Sequence, residues 1–390
     1  AKQENVEIQI DYITSQGFKN LLTIQAEAQA RSGHDILSFP TWQPADHAEL
    51  LENVDDLMAE LVAQNGAVNP VVEYLGRPEG RWVAVPQTPG SQMKGPCARI
   101  DILKQAAGID VQAMYPGGAP ANAALAEKWT WEAFAVAAEK CKAAGKPFGI
   151  GLGVTSDSVD TAGSLFRAFG AELVDKNGDI TVDSDATRAV LEYAKRLVAA
   201  LPADVFAWDD ASNNRFLIAG NGSLIFNPPS AWAVAKRDAP QVAEQLWTFP
   251  APAGKEGRFG PFLPYFYGIW SFSPNKPAAK SLLRHLSRRE SAQAMVAASQ
   301  GYDLPAWARL QDFTTWDEEG PPKGTLTHYP VREGEQIAAI AAAPAPPKIA
   351  VQIYNQATMT KMISRITQGG ESIPDAISWA KNELEGFMRI

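Results

Sequence analysis

The chain has 390 residues, which at roughly 150 residues per domain corresponds to two large domains or three small ones. Hydrophobic residues make up 46% and charged residues 20%, a balance that excludes wholesale disorder and a coiled coil. With 35 basic and 44 acidic side chains the net charge is −9, so there is no electrostatic footprint for nucleic acid or an anionic membrane.

The first residues, Ala1 to Asn5, have no basic stretch followed by an apolar run, so the chain reads as either cytosolic or a processed export product. Residues 6–12 alternate apolar and polar side chains, which predicts a half-buried strand. Ser15 then precedes Phe18, Leu21, Leu22 and Ile24, a three-four spacing that predicts an amphipathic helix ending at Gly33. Residues 35–39 read as a short buried strand stopped by Pro40, and 50–61 as a helix. Strand, helix, strand, helix predicts α/β architecture with a parallel sheet. After a strand at 82–86 comes a loop rich in Pro, Gly and Gln at 87–96, the first expected crossing between domains.

Thr130 is a predicted N-cap for a helix over 131–144 closed by Gly145, and 148–154 reads as a strand with alternating glycines. Asp183, Ser184 or Asp185 starts a helix, because Val190, Leu191, Ala194, Leu197, Val198 and Leu201 share one face. A helix at 214–219 and a strand at 223–226 follow. The Pro-rich stretch 247–254, the loop 257–264 and the aromatic run 265–270 mark a second crossing. Residues 278–299 read as helical and 305–348 as loop-rich, and Ser372 with Asp375 resembles a capping box for a last helix. No run of 18 apolar residues occurs.

Enzyme signatures are absent. His34, His47, His285 and His328 are scattered, with no His-x-x-x-His or Cys-x-x-Cys spacing, so neither a metal nor a cofactor is implied. Gly149, Gly151 and Gly153 lack the order of a dinucleotide loop, and neither a nucleophile elbow nor a P-loop occurs. Cys97 and Cys141 are either one disulfide or two buried thiols.

Several segments together resemble the extracellular solute-binding proteins of bacterial ABC importers, the large sugar-binding group that includes maltose-binding protein. His34-Asp35-Ile36-Leu37 followed by Leu50 to Leu57 is similar to a Gly-Pro-Asp-Val-Val strand and the Gly-Leu-Leu-x-Pro-Leu-Asp-Asp-Leu helix. Trp82 to Pro86 followed by Asp101 to Gly108 resembles the crossing strand and the Asp-Leu-Phe-Lys-Glu-Ala-Gly helix. Trp129 to Phe134 looks like Pro-x-Thr-Trp-Asp-Glu-Leu, and Arg215 to Asn227 like Ala-Phe-x-x-Gly-Lys-Ala-Ala-Met-x-x-x-Asn. Ser273 to Lys276 and Gly301 to Pro305 complete the set. Two departures stand out: the family's first strand and helix do not precede Val6, and Asn227 to Trp232 replaces Asn-Gly-Pro-Trp. The chain is therefore expected to begin inside its N-terminal lobe.

The resemblance implies a two-lobe periplasmic binding protein fold with three interlobe crossings and a ligand cleft between the lobes. The expected N-terminal lobe is 1–86 with 262–305, the C-terminal lobe 87–261 with 330–390, and 306–329 a crossing segment. It also implies a monomer that captures a small solute by lobe closure and hands it to a membrane permease, with no catalysis.

The 11 Trp, 9 Tyr and 16 Phe bear on the ligand. A sugar ring offers an apolar C–H face and a rim of hydroxyls, so its site needs aromatic platforms with Asp, Asn or Gln beside them. Trp42, just past Ser38 and Phe39 at a strand end, is such a platform or a lid on the sheet. Gln87 opens the first crossing. Asp157 and Asp160 follow another strand, and at least one of them is expected to cap the next helix. Trp208 and Asp209, with Asp210, Asn213 and Asn214, put a platform and acceptors in one loop, where helix capping is the competing role. By the resemblance, Asn227 and Trp232 lie where the family stacks a Trp on its ligand, and Tyr265, Phe266 and Tyr267 lie in a loop near the second crossing. Asp303 and Tyr354 are further candidates. The predicted function is capture of a sugar or polyol. The alternatives are a cationic solute such as a polyamine or quaternary amine, and a carbohydrate-active enzyme with Asp157 paired to Asp160 or Asp209.

Overall fold

The structure, a computed structural model, describes residues 5–14, 19–87, 90–116, 119–318 and 337–389. The predicted roles of Ser15 and Phe18, the position of His328 and the loop at 319–336 lie outside the described residues. The chain divides into two compact units, the first formed by Ala1–Gln92 and Leu263–Thr314 and the second by Met93–Phe262 and Thr315–Ile390. The backbone thus passes between units three times.

In the first unit the sheet runs Ile36–Pro40, Tyr265–Ile269, Val85–Pro86, with Tyr265–Ile269 central and antiparallel to both neighbours. The predicted parallel sheet does not form here, because the central strand comes from far along the chain and not from the next strand in sequence. Phe39 lies opposite Phe266 and both are fully buried. Gly268 makes this packing feasible, since a Cβ there would stand 2.5 Å from the Phe39 ring. Trp270 closes edge-on over Phe39 with 5.3 Å between ring centroids. Helices Lys19–Ala30, Asp55–Asn65, Lys276–Leu286 and Arg289–Ala298 belong to the same unit. The single helix predicted over 278–299 is two, separated at Ser287, whose carbonyl accepts a 2.8 Å bond from Asn65.

Residues 6–12 do not form the predicted strand: they carry no regular structure, and Ile10 is 68% and Tyr12 95% exposed. Alternation gives a strand two faces, but its N–H and C=O groups also need a neighbouring strand, and among the described residues none pairs with this segment. It is tied instead through Asp11, whose Oδ2 lies 3.0 Å from His34 Nε2. The other ring nitrogen of His34 lies 2.5 Å from Glu27 Oε1. The Glu27 hydrogen bond, with help from Asp11, outweighs burial and raises the His34 pKa.

In the second unit Pro96–Arg99 is the centre of an antiparallel sheet flanked by Leu224–Phe226 and Leu246–Thr248. Strand Gly257–Leu263 pairs in parallel with Ile337–Ala339. Helix Trp131–Ala143 is capped by Thr130, which accepts from Ala133 N–H at 3.2 Å, and helix Asp185–Ala199 by Ser184. Ser372 caps Ile373–Phe387 and also donates to Asp375 at 2.6 Å. The strand predicted at 148–154 is reduced to one bridge, Phe148 to Leu224. Its glycines serve close approach: a Cβ on Gly149 would meet the Phe216 ring at 2.5 Å and one on Gly153 the Phe206 carbonyl at 3.0 Å. Cys97 and Cys141 are both free and buried, and burial pushes the Cys97 thiol up to about 12.

Helix Ser156–Phe169 packs against Asp185–Ala199 and Thr358–Thr367, and its Gly163 lies where a Cβ would stand 2.5 Å from Ala341 Cβ. Elsewhere in a helix Gly→Ala gains up to ~1 kcal/mol, whereas overpacking costs about 1–3 kcal/mol. Gly163→Ala is therefore expected to lower the urea midpoint. A raised midpoint would show that the segment around Ala341 gives way.

Candidate ligand-binding site

The second unit holds a buried charge cluster. Thr155 accepts from Ser158 N–H at 3.2 Å and is the N-cap of helix Ser156–Phe169, so neither Asp157 nor Asp160 has the expected capping role. Inside the helix their three-residue spacing puts both carboxylates on one side. Lys94 Nζ reaches both, 2.7 Å from Asp157 Oδ1 and 2.7 Å from Asp160 Oδ2. The Lys94 and Asp160 side chains are almost wholly withdrawn from water, at 1% and 0% exposure, while Asp157 keeps 16%. Burial alone would pull the Lys94 ammonium down, but attraction to the two carboxylates outweighs it and the shift is upward. Burial pushes Asp160 up, against the opposing pull of Lys94 and the Tyr354 hydroxyl.

The cluster extends through amides. Asn213 Nδ2 donates to Asp157 Oδ2 at 3.3 Å, and Asp157 N–H donates to Asp210 Oδ1 at 3.3 Å. Asn227, 4% exposed, donates to Asn214 Oδ1 at 2.8 Å, and Asn214 to Ser230 Oγ at 3.2 Å. Asp210 is pushed up to about 6 by burial first and by the neighbouring Asp157 charge second, with Lys94 opposing. Lys94 was not legible as a site residue. It is a lone cation in a Pro- and Gly-rich loop, more than sixty positions before its partners, and the Asp157, Asp160 spacing is the one signal that a cation was wanted.

The remaining candidates of this unit have mixed placements. Asp209 is exposed and bonds Ser212 Oγ at 2.6 Å, Ala211 N–H at 3.1 Å and Arg215 at 2.9 Å. That is the competing turn role at the start of helix Ser212–Ile218, and the Ser212 bond, with Arg215, holds its carboxyl below the usual range. Trp208 is half-buried against Phe216, with 5.0 Å between ring centroids. Trp232, 2% exposed, belongs to the core with Cys97, Leu217, Ile225 and Leu246, and Lys236 lies over its ring at 5.1 Å. Its expected stacking role is corrected accordingly, because the ring is buried in that core. Tyr354 is 7% exposed on helix Pro347–Asn355.

In the first unit the aromatic run 265–267 is a strand and not the expected loop. Opposed residues of antiparallel strands point to the same side, so Ser38 shares a face with Tyr267, and Tyr265, two positions away, lies on that face too. Ser38 is exposed and the two tyrosines half-buried. Gln87 Nε2 joins this face, donating to Ser38 Oγ at 2.6 Å and to the Phe266 carbonyl at 3.2 Å. Phe39 and Phe266 point the other way into the core and offer no open ring. Trp42 is likewise fully buried, edge-on to Tyr74 at 5.7 Å, and is a packing residue in place of a platform. Asp303 accepts from Gln92 Nε2 at 2.9 Å, and burial pushes it up to about 6. Among the described residues no group of three or more His, Cys, Asp or Glu is placed to hold a metal ion.

Solved structures of other proteins share this architecture. A maltose-bound protein of T. maritima, MalE3, superposes with a TM-score of 0.77 at 19% identity, covering 98% of this chain and 92% of that one. A sugar transporter protein of Arthrobacter chlorophenolicus with bound laminaribiose gives 0.73 at 13% identity, covering 94% and 89%. A solute-binding protein of Agrobacterium vitis with bound D-mannitol gives 0.73 at 16% identity, covering 100% and 93%. The fold is the two-lobe periplasmic binding protein fold. The chain belongs to the bacterial extracellular solute-binding protein family, whose model matches residues 1–293. A probable ABC transporter-binding protein of Deinococcus radiodurans is 27% identical over 188 residues, 44% of this chain and 43% of its own length. That match spans less than half of the relative.

Asp303 gives the unit a pH-dependent stability. The folded chain keeps this proton to about pH 6 while the ordinary carboxyl releases it near 3.8. The folded state binds more protons in that window, so stability falls as pH rises through it. Asp303→Asn keeps an acceptor for Gln92 and removes the charge. Urea unfolding at pH 7.5 is expected to show the variant more stable by on the order of 2 kcal/mol, a gap that closes toward pH 4; a gap independent of pH would refute the assignment.

Proposed function

We propose that the chain is the substrate-binding component of a bacterial ABC importer, working in the periplasm as a monomer. It captures a small polyhydroxylated solute, a sugar or polyol, by closure of its lobes and delivers it to a membrane permease. The observation that carries this reading is the face shared by Ser38, Gln87, Tyr265 and Tyr267, where tyrosine rings stand beside a hydroxyl and an amide. Rings of that kind cover a sugar's C–H face, and the polar groups meet its rim. Within the second unit, Asp157 and Asp210 are carboxylates at the edge of the buried charge cluster. Maltose, laminaribiose and D-mannitol in three similar structures support the same class of ligand.

Closure follows from differential affinity: a solute that touches both lobes only in the closed form stabilises that form. No reaction is required. Of the two carboxylates that a catalytic reading pairs with Asp157, Asp160 is fully buried on Lys94 and Asp209 is held by Ser212 and Arg215, which speaks against a proton-donor role. A second reading, a cationic solute, is favoured by one feature, the single Lys94 charge set against Asp157, Asp160 and Asp210.

A thermal-shift screen with maltose, laminaribiose, D-mannitol and polyamines tests both readings. A ligand at a hundred times its dissociation constant is expected to stabilise by about 2.7 kcal/mol, and small-angle scattering is expected to show a smaller radius of gyration. Stabilisation by polyamines alone, lost on adding salt, would select the cationic reading. A radius unchanged by every tight ligand would sink the closure model. Tyr267→Ala is expected to weaken sugar binding about tenfold, the loss of one aromatic contact, as read by titration calorimetry.

A further inference from the structure

We infer that Lys94 is a positioning residue of the ligand site: it ties helix Ser156–Phe169 to the loop ahead of strand Pro96–Arg99, so that Asp157 and Asp210 present their oxygens to the solute while Lys94 and Asp160 never touch it. The inference deepens the solute-binding reading and rests on it.

Exposure divides the cluster. Lys94 and Asp160 are at 1% and 0% and Asp157 at 16%, while Asp210 is half-buried. The first two are therefore interior and the other two reach the boundary. Lys94 engages one oxygen of each carboxylate. The second oxygen of Asp157 takes Asn213 Nδ2, and the Asp157 N–H takes Asp210. Fixing Asp157 thus fixes the start of the helix, the loop carrying Asp210 and the asparagine chain that reaches Asn227 and Ser230.

Stability alone does not account for such a cluster. Taking an ammonium and a carboxylate out of water costs several kcal/mol each, and apolar replacement of a buried ion pair is often neutral or stabilising. What an ion pair supplies that a leucine does not is register. Two 2.7 Å bonds to carboxylates one helical turn apart set both the depth and the rotation of the helix.

The test uses the whole protein, with maltose, laminaribiose and D-mannitol as probes, and two variants. Asp160→Asn keeps the volume, cannot reach solute, and loosens one Lys94 bond; it is expected to weaken probe binding about fivefold with the circular dichroism spectrum intact. Lys94→Met is expected to weaken it at least thirtyfold. Carboxyl NMR supplies a readout without ligand. Asp210, which faces Asp157, Lys94 and the Thr155 hydroxyl, is expected to titrate above its wild-type midpoint of about 6 once Lys94 no longer opposes burial. If Lys94→Met does not fold, Asp160→Asn decides. Unchanged probe affinity in a folded variant overturns the inference and leaves the solute-binding reading standing. If the wild type binds no probe, that reading fails, and an Asp210 midpoint unmoved in Lys94→Met overturns the positioning role as well.

Discussion

An ammonium group fully withdrawn from water loses hydration worth several kcal/mol, and it stays charged where close carboxylates return that loss. Lys94 is held in this way by Asp157 and Asp160, and much of the second unit is arranged around it. Its own N–H donates to the Pro261 carbonyl at 2.8 Å, the carbonyl of Gly95 accepts from Asn227 at 3.0 Å, and that of Pro96 from Phe249 at 3.1 Å. Three segments distant in sequence therefore converge on residues 94–96. Gly95 is required there, since a Cβ would stand 2.5 Å from the Phe249 carbonyl. Backbone and charge together leave one arrangement of helix, strand and loop.

The first unit is organised around one strand. Tyr265–Ile269 alternates between two surroundings: Phe266 and Gly268 close the core on Phe39, while Tyr265 and Tyr267 stay half-buried on the face of Ser38 and Gln87. Period-two geometry gives the same five residues one packed face and one half-open face. Where the chain leaves this unit, between Gln92 and Met93, each side carries a polar anchor within its own unit. Gln92 bonds Asp303 and Lys94 bonds Asp157 and Asp160.

Local rules were legible wherever the partner was close in sequence. Thr130, Ser184 and Ser372 cap helices, and each is a hydroxyl three residues ahead of the N–H it accepts. The α/β class and the family were legible from element order and segment patterns. What failed depended on distant partners. Residues 6–12 have a strand's alternation but no neighbouring strand among the described residues, and 148–154 have its spacing but glycines that admit the Phe216 ring and two carbonyls. The aromatic count pointed to ligand platforms, yet Phe39, Trp42, Trp232 and Phe266 are buried. Composition cannot tell a ring with a free face from one clasped on both. Lys94 was invisible for the same reason, since nothing local to residues 87–96 specifies carboxylates more than sixty residues later.

The clustering of charge also bears on selectivity. A half-buried carboxylate that accepts hydroxyls discriminates mainly by penalty, because a solute lacking the hydroxyl leaves it desolvated and unpaired at about 1–3 kcal/mol. That penalty operates only if the carboxylate cannot swing away to find water or a passing cation. Asp157 is denied the swing: one oxygen is on Lys94, the other on Asn213, and its backbone N–H is on Asp210. Burial and the Asp157 charge push Asp210 up to about 6, so near that pH it exchanges a proton beside an Asp157 that is already held on three sides.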